Sequence, residues 1–365
     1  MTGNELTQYM NNSIAGMVKD VLRETLQNPR ETAYLLKLMD HTKKNGQKRL
    51  TFESTGQHVP AFMISSITHS CNLTCKGCYA RANGTCADIP RQPLLSTAEW
   101  GGIFRQAAEL GVSFNLLAGG EPLLRRDVLE EAAKVESILF PVFTNGTLLN
   151  EAYISLFHAH RNLVPILSLE GGVARTDERR GPGTYQKLME AMQDFRQKGI
   201  LFGVSLTVTR ENMTELTSDA FLSELKRQGC RVVFYVEYVP VDESTRDLAL
   251  SAKNVAFMEQ RLSELRNQHP SLLFMSFPGD EKFLGGCLAA GRGFFHVNPY
   301  GAAEPCPFSP YSDRSLKEYT LLEALNSPFF VRLRDAALVG GEHTGGCALF
   351  EQESRVKELL RPHCS

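Results

Sequence analysis

Three cysteines, Cys71, Cys75 and Cys78, stand in the loop that follows an apolar stretch at residues 61–68 (AFMISSIT). That stretch reads as a buried strand, so the thiols sit where a strand leaves the core. Thiols at this spacing can cap three irons of a cubane cluster and leave the fourth iron open. A structural zinc site wants four closed ligands, usually in two paired sets. His69 and Cys86 are the nearby residues that could complete one, so zinc stays open at this point. The chain carries nine cysteines, an odd number, which favours metal-binding thiolates over a disulfide framework.

Around that loop the sequence alternates between two periods. Strands are predicted at 61–68, 113–118, 138–143, 163–169, 200–208 and 231–239. Between them lie helical patterns, such as the capping box Ser96–Glu99 ahead of Trp100, Ile103, Phe104 and Ala107. Others carry Tyr185, Leu188, Met192 and Phe195, or Leu216, Leu222 and Leu225, and end at Gly199 and Gly229. Six strand–helix units predict an α/β fold with parallel strands, a partial (β/α)6 TIM-like barrel. In such folds chemistry collects at the C-terminal ends of strands. The cysteine loop, Gly119-Gly120-Glu121-Pro122 and Thr144-Asn145-Gly146 all fall there.

Flanking segments differ. Residues 1–55 read as helices, through Met10, Ile14, Met17 and Val21 and again through Leu35, Leu36 and Met39, broken at Asn28-Pro29, with a turn expected at 43–47 (KKNGQ). After residue 270 the rhythm stops, and 278–310 is rich in Gly, Pro and Cys. The expected division is a helical segment 1–55, a barrel core 56–270 and a small metal-stapled domain 271–365.

Charge and hydropathy narrow the function classes. With 39 basic and 41 acidic residues the net charge is −2, so no basic field exists to draw nucleic acid or a membrane surface. No apolar run reaches the length of a membrane span, and the first residues lack a signal peptide's blocks. A cytoplasmic location is expected.

The segment SCNLTCKGCYA behind a first strand, with GGEP after the second, resembles the CxxxCxxC signature and second hallmark of radical S-adenosylmethionine (radical SAM) enzymes. The resemblance implies that Cys71, Cys75 and Cys78 hold a 4Fe–4S cluster whose open iron takes S-adenosylmethionine. It also implies that Gly119, Gly120, Glu121 and Pro122 receive the methionyl amine. Thr144, Asn145, Ser168 and Glu170 resemble family positions near the ribose and adenine, and Arg179-Arg180 match a place where relatives set an arginine against the methionyl carboxylate, Arg180 being the residue assigned. Many members carry an aromatic residue before the third cysteine. Here it is Gly77, which leaves Tyr79 to meet the adenine.

Cys287, Gly301 and Cys306 (CLAAGRGFFHVNPYGAAEPC), followed by Cys347, resemble the SPASM and twitch domains of such enzymes. They imply one auxiliary 4Fe–4S cluster, for electron transfer or substrate binding. Its fourth ligand is open: Cys364, His343 or Glu351, or no protein ligand at all. Cys86 and Cys230 read as buried thiols. The resemblance implies an enzyme that cleaves S-adenosylmethionine reductively to a 5′-deoxyadenosyl radical and takes a hydrogen atom from a peptide or small molecule, with flavodoxin or ferredoxin as electron donor. Tyr235, Glu237 and Tyr238 on the sixth strand are candidates to line the substrate cavity. The rival readings are an activase that plants a glycyl radical on a partner protein and a non-catalytic metal-binding module.

Overall fold

Seven parallel strands follow one another in chain order: β1 (Phe62–Thr68), β2 (Phe114–Gly119), β3 (Phe140–Thr144), β4 (Leu163–Leu169), β5 (Gly203–Val208), β6 (Val232–Glu237) and β7 (Leu273–Phe277). Two short strands, β8 (His296–Val297) and β9 (Ala303–Glu304), extend the sheet on the far side of β1, with β8 parallel to β1 and β9 antiparallel to β8. The order is β7-β6-β5-β4-β3-β2-β1-β8-β9, an open sheet with helices between its parallel strands. This is the α/β partial barrel expected. These features come from a computed structural model that describes residues 3–361, apart from 27, 91, 242, 337 and 340–346.

The strands are apolar on both faces, as in β4 (LVPILSL), because parallel sheets are covered on both sides. Outer helices cover one face. The helix Thr97–Leu110 starts at the predicted capping box, and its Trp100, Phe104 and Ala107 are fully buried. The inner face is closed by the N-terminal hairpin of α1 (Gly3–Glu24) and α2 (Pro29–Ser54). Val18, Val21, Leu35 and Leu38 meet Val164, Ile166, Val232 and Phe234 around a small apolar space inside the sheet. Each such side chain contributes about 1.5–3 kcal/mol when fully buried.

Two expectations need correction. The turn at 43–47 is instead the middle of α2. Asn45 is buried and donates to the Val112 carbonyl at 3.2 Å and the Ser137 carbonyl at 2.9 Å, so a local turn signal yields to tertiary hydrogen bonds. The strand rhythm also continues past residue 270. β7 is only five residues long and pairs in register with β6, too short to stand out from sequence beside Pro278.

A buried chain of polar groups ties the late strands to β1. Ser66 Oγ meets His296 Nε2 at 2.8 Å, and His296 Nδ1 meets Glu304 Oε2 at 2.7 Å. Asn298 donates to the other Glu304 oxygen at 2.5 Å. Residues 296–304 are thereby anchored to the strand that carries the cysteine loop.

Candidate functional site

The loop after β1 is held in shape by its neighbours. Arg81 donates to the Leu73 carbonyl at 3.1 Å and to the Cys71 carbonyl at 3.4 Å. Asn145, at the end of β3, donates to Asn72 Oδ1 at 3.0 Å, and its amide lies 3.9 Å from Cys71 Sγ. From the far side, the backbone N–H of Lys76 donates to the Arg179 carbonyl at 3.0 Å, while Arg179 Nε donates back to the Lys76 carbonyl at 3.2 Å. The three thiols are half-buried and free of disulfides. Burial pushes the Cys71 and Cys75 thiols up, and Arg180 and Arg179 pull Cys75 back down. A metal's charge would complete that reversal, since a coordinating thiol loses its proton.

GGEP packs directly on this loop. A Cβ on Gly120 would sit 2.0 Å from the Ser70 carbonyl oxygen, so the second glycine is required by the backbone beneath it. Glu121 is buried and its carboxylate accepts three internal hydrogen bonds. These come from the Leu123 N–H at 3.0 Å, Thr144 Oγ1 at 2.6 Å and the Asn145 N–H at 2.8 Å. Burial pushes the carboxyl up and these donors oppose it. Glu121 and Thr144 thus lock the end of β2 to the end of β3. Pro122 begins the short turn that follows.

Glu170, just past β4, is buried and forms ion pairs with both Arg179 and Arg180 at 2.5 Å. Burial opposes the Arg180 charge, but Glu170 and Cys75 outweigh it and hold the guanidinium firmly protonated.

One cavity of about 610 Å³ gathers most of these groups. Its wall includes Cys71, Cys75 and Cys78, and also Cys287, Cys306 and Cys347. Gly119, Gly120, Glu121, Asn145, Ser168, Arg179, Arg180 and Tyr79 line it as well. Pro122, Thr144 and Glu170 are not in its wall; they brace residues that are. Of the three sixth-strand residues, Glu237 and Tyr238 line the cavity, whereas Tyr235 faces the other way and donates to the Leu216 carbonyl at 2.8 Å. Cys86 and Cys230 are buried outside it, with Cys230 donating to the Val232 carbonyl at 3.3 Å.

Gly77 has a left-handed φ of 67°, and a Cβ there would lie 2.4 Å from the Tyr238 hydroxyl. The Tyr238 ring, delivered from the end of β6, packs over Gly77. Tyr79 turns instead towards Phe308, with ring centroids 4.8 Å apart.

Sequence reasoning missed Arg81, and it missed the hydroxyls of Ser205 and Thr207, which line the cavity beside Ser168. Ser168 and Ser205 are register partners across β4 and β5. Polar residues at alternate positions of an otherwise apolar strand were the available signal.

Among the second set, Cys306 and Cys347 share a hydrogen bond that holds Cys347 towards thiolate and Cys306 towards thiol. Glu351 is exposed, and Cys364 and His343 lie outside the described residues. Among the described residues, no three His, Cys, Asp or Glu side chains close on a single metal ion. A cubane takes one thiolate on each of three separate irons, so a set of three cysteines suits it.

A parallel partial barrel with a three-thiol loop at the end of its first strand, and a glycine-glutamate turn packed on that loop, defines a radical SAM enzyme. Residues 65–235 match the family model described as the Radical SAM superfamily. PqqA peptide cyclase of Rhizobium meliloti (strain 1021) is 29% identical over 257 residues, 68% of this chain and 67% of its own. AdoMet-dependent heme synthase of Methanosarcina barkeri (strain Fusaro / DSM 804) is 26% identical over 320 residues, 80% of this chain and 89% of its own. The fold is shared with Streptococcus suis SuiB bound to precursor peptide SuiA, at a TM-score of 0.65 and 19% identity, over 88% of this chain and 77% of that one. Residues 65–235 thus carry a radical SAM domain, the domain of enzymes that use a 4Fe–4S cluster and S-adenosylmethionine as cofactors. No helix among the described residues is long and apolar enough to cross a membrane.

Proposed function

We propose that this enzyme modifies a peptide by removing a hydrogen atom from it, with Cys71, Cys75 and Cys78 holding the S-adenosylmethionine cluster and Cys287, Cys306 and Cys347 holding an auxiliary one. The observation that carries this reading is the single cavity whose wall contains both cysteine sets. When bound, the first cluster and S-adenosylmethionine supply a carbon-centred radical.

The chain's own residues bind, orient and exclude. Arg180 and Arg179, fixed by Glu170, present positive charge beside Cys75, where a cofactor carboxylate is received. The backbone of Gly119 and Gly120 forms the edge for the methionyl amine, braced by Glu121. Ser168, Ser205 and Thr207 offer hydroxyls to the sugar and base, and Tyr238 offers a ring. Met10, Ile14 and Met17 of α1 close the cavity's lower side with apolar surface and keep water from the reacting carbon.

Substrate class follows from the rest of the wall. Phe62, Phe143, Phe277 and Phe294 make it largely apolar. Glu170 pairs with both Arg179 and Arg180 and so leaves one positive charge beside Cys75, while Asp280 pairs with Arg266 at 2.8 Å. The apolar remainder of the wall suits apolar peptide side chains. Relatives that act on or bind a precursor peptide are in keeping with this.

The test is anaerobic turnover with reductant, S-adenosylmethionine and a deuterated short peptide encoded beside the gene. Deuterium arriving in 5′-deoxyadenosine supports the reading. Deuterium retained in every such peptide, with 5′-deoxyadenosine still formed, refutes the peptide assignment. A preparation holding zinc and no sulfide would refute the radical assignment itself.

A further inference from the structure

Within the wall of the second cysteine set stands a carboxylate that neither motif contains. Glu281 lies in the turn Gly279–Leu284 that follows β7, six residues before Cys287, and is 4% exposed. Its carboxylate meets the Cys287 thiol and the Leu288 N–H, and faces Cys347 closely enough to interact with its charge. All four side chains, Glu281, Cys287, Cys306 and Cys347, line the same cavity. The turn is fixed independently: Arg292 donates to the Gly286 carbonyl at 2.9 Å and to the Cys287 carbonyl at 3.0 Å.

Burying a carboxylate among apolar side chains and thiols is unfavourable unless a cation or donors receive it, and here the Leu288 N–H and the nearby Arg292 charge do so only in part. A thiol-rich site is a poor neighbour for an acid and a good one once iron is present, because a hard oxygen ligand is then matched by a positive centre. Of the non-thiol ligands the sequence suggested, Glu351 is exposed.

We infer that Glu281 supplies the oxygen ligand to the fourth iron of the auxiliary cluster, which rests on the reading that Cys287, Cys306 and Cys347 hold that cluster. The cluster is then bound by three thiolates and one carboxylate. A carboxylate is more readily displaced than a thiolate, so the fourth iron can exchange Glu281 for a donor atom of the substrate.

The experiment uses the full chain carrying Cys71→Ala, Cys75→Ala and Cys78→Ala, reconstituted anaerobically so that only the auxiliary site can hold iron. Absence of iron and sulfide from this folded variant defeats the cluster reading itself, and the inference with it. With a cluster present, carboxyl-13C glutamate is incorporated and the reduced protein is examined by pulsed ENDOR. A strongly coupled carboxyl carbon that disappears in Glu281→Gln supports the assignment. Glu281→Gln should also lose iron on mild oxidation, from about four to about three atoms per cluster. No coupled carbon in the chain with Glu281 intact, or a coupled carbon that survives Glu281→Gln, overturns it. The labelled chain with Glu281 intact decides the question even if the variant fails to fold.

Discussion

Gly120 and Ser70 touch backbone to backbone: a Cβ added to Gly120 would lie 2.0 Å from the Ser70 carbonyl oxygen and 3.0 Å from the Cys71 nitrogen. The second hallmark of the site is therefore part of the scaffold of the first. Neither atom belongs to a flexible side-chain end, so the strain must move the cysteine loop. Gly120→Ala is expected to lower stability by at least about 1–3 kcal/mol, as overpacking does. Iron content after reconstitution should fall with it, while Gly102→Ala, inside a helix with open space around it, leaves iron content unchanged and does not lower stability. Thermal unfolding with an iron and sulfide assay checks this.

The two cysteine sets predict separable metal contents. Cys71→Ala, Cys75→Ala and Cys78→Ala together should abolish cleavage of S-adenosylmethionine and retain about half the iron of the parent chain, one cubane in place of two. Full loss of iron from a chain that still shows native circular dichroism would contradict a second cluster.

Glu121 accepts from Leu123, Thr144 and Asn145. Glu121→Gln puts an amide N–H₂ where donors already point, leaving at least one buried donor unsatisfied at a cost of about 1–3 kcal/mol. Urea unfolding of the apoprotein should report that loss. Weaker S-adenosylmethionine binding should accompany it in the reconstituted enzyme, because the Gly119–Gly120 edge loses its brace; calorimetric titration measures this.

The hairpin α1–α2 is clamped to the barrel by a buried ion pair. Arg161 pairs with Glu31 and donates to the Gly199 carbonyl at 2.8 Å. Burial is the main force pushing the Glu31 carboxyl up, with Arg161 drawing it back. Arg161→Met leaves Glu31 buried without its cation and should cost about 3–5 kcal/mol. Changing Glu31 to Met as well should recover a large part, since the orphaned charge is then gone. Urea unfolding of the two variants tests both halves of this statement.

Legibility of the fold varied with the range of the interactions. The β1–β6 run and the helix opened by Ser96 and Glu99 were readable because local periodicity and capping set them. The predicted turn at 43–47 failed because Asn45 finds its partners 67 and 92 residues away, which no local pattern carries. β7 escaped notice for the same reason: five residues acquire strand character only by pairing with β6.

At the site, the sequence by itself determined which groups stand together: Cys71, Cys75 and Cys78 on one loop, the GGEP turn, and the pair Arg179-Arg180. Spacing suffices there because those groups lie on single loops whose ends are set by one strand. Only the tertiary structure decided which residues brace and which face the cavity. Glu170 turned out to hold both arginines in place, Tyr238 to fill the space over Gly77, and Glu281 to join the thiols of the second set. Each of those placements is made between elements far apart in the chain, where strand register and packing, not sequence neighbourhood, bring charge and ring into contact.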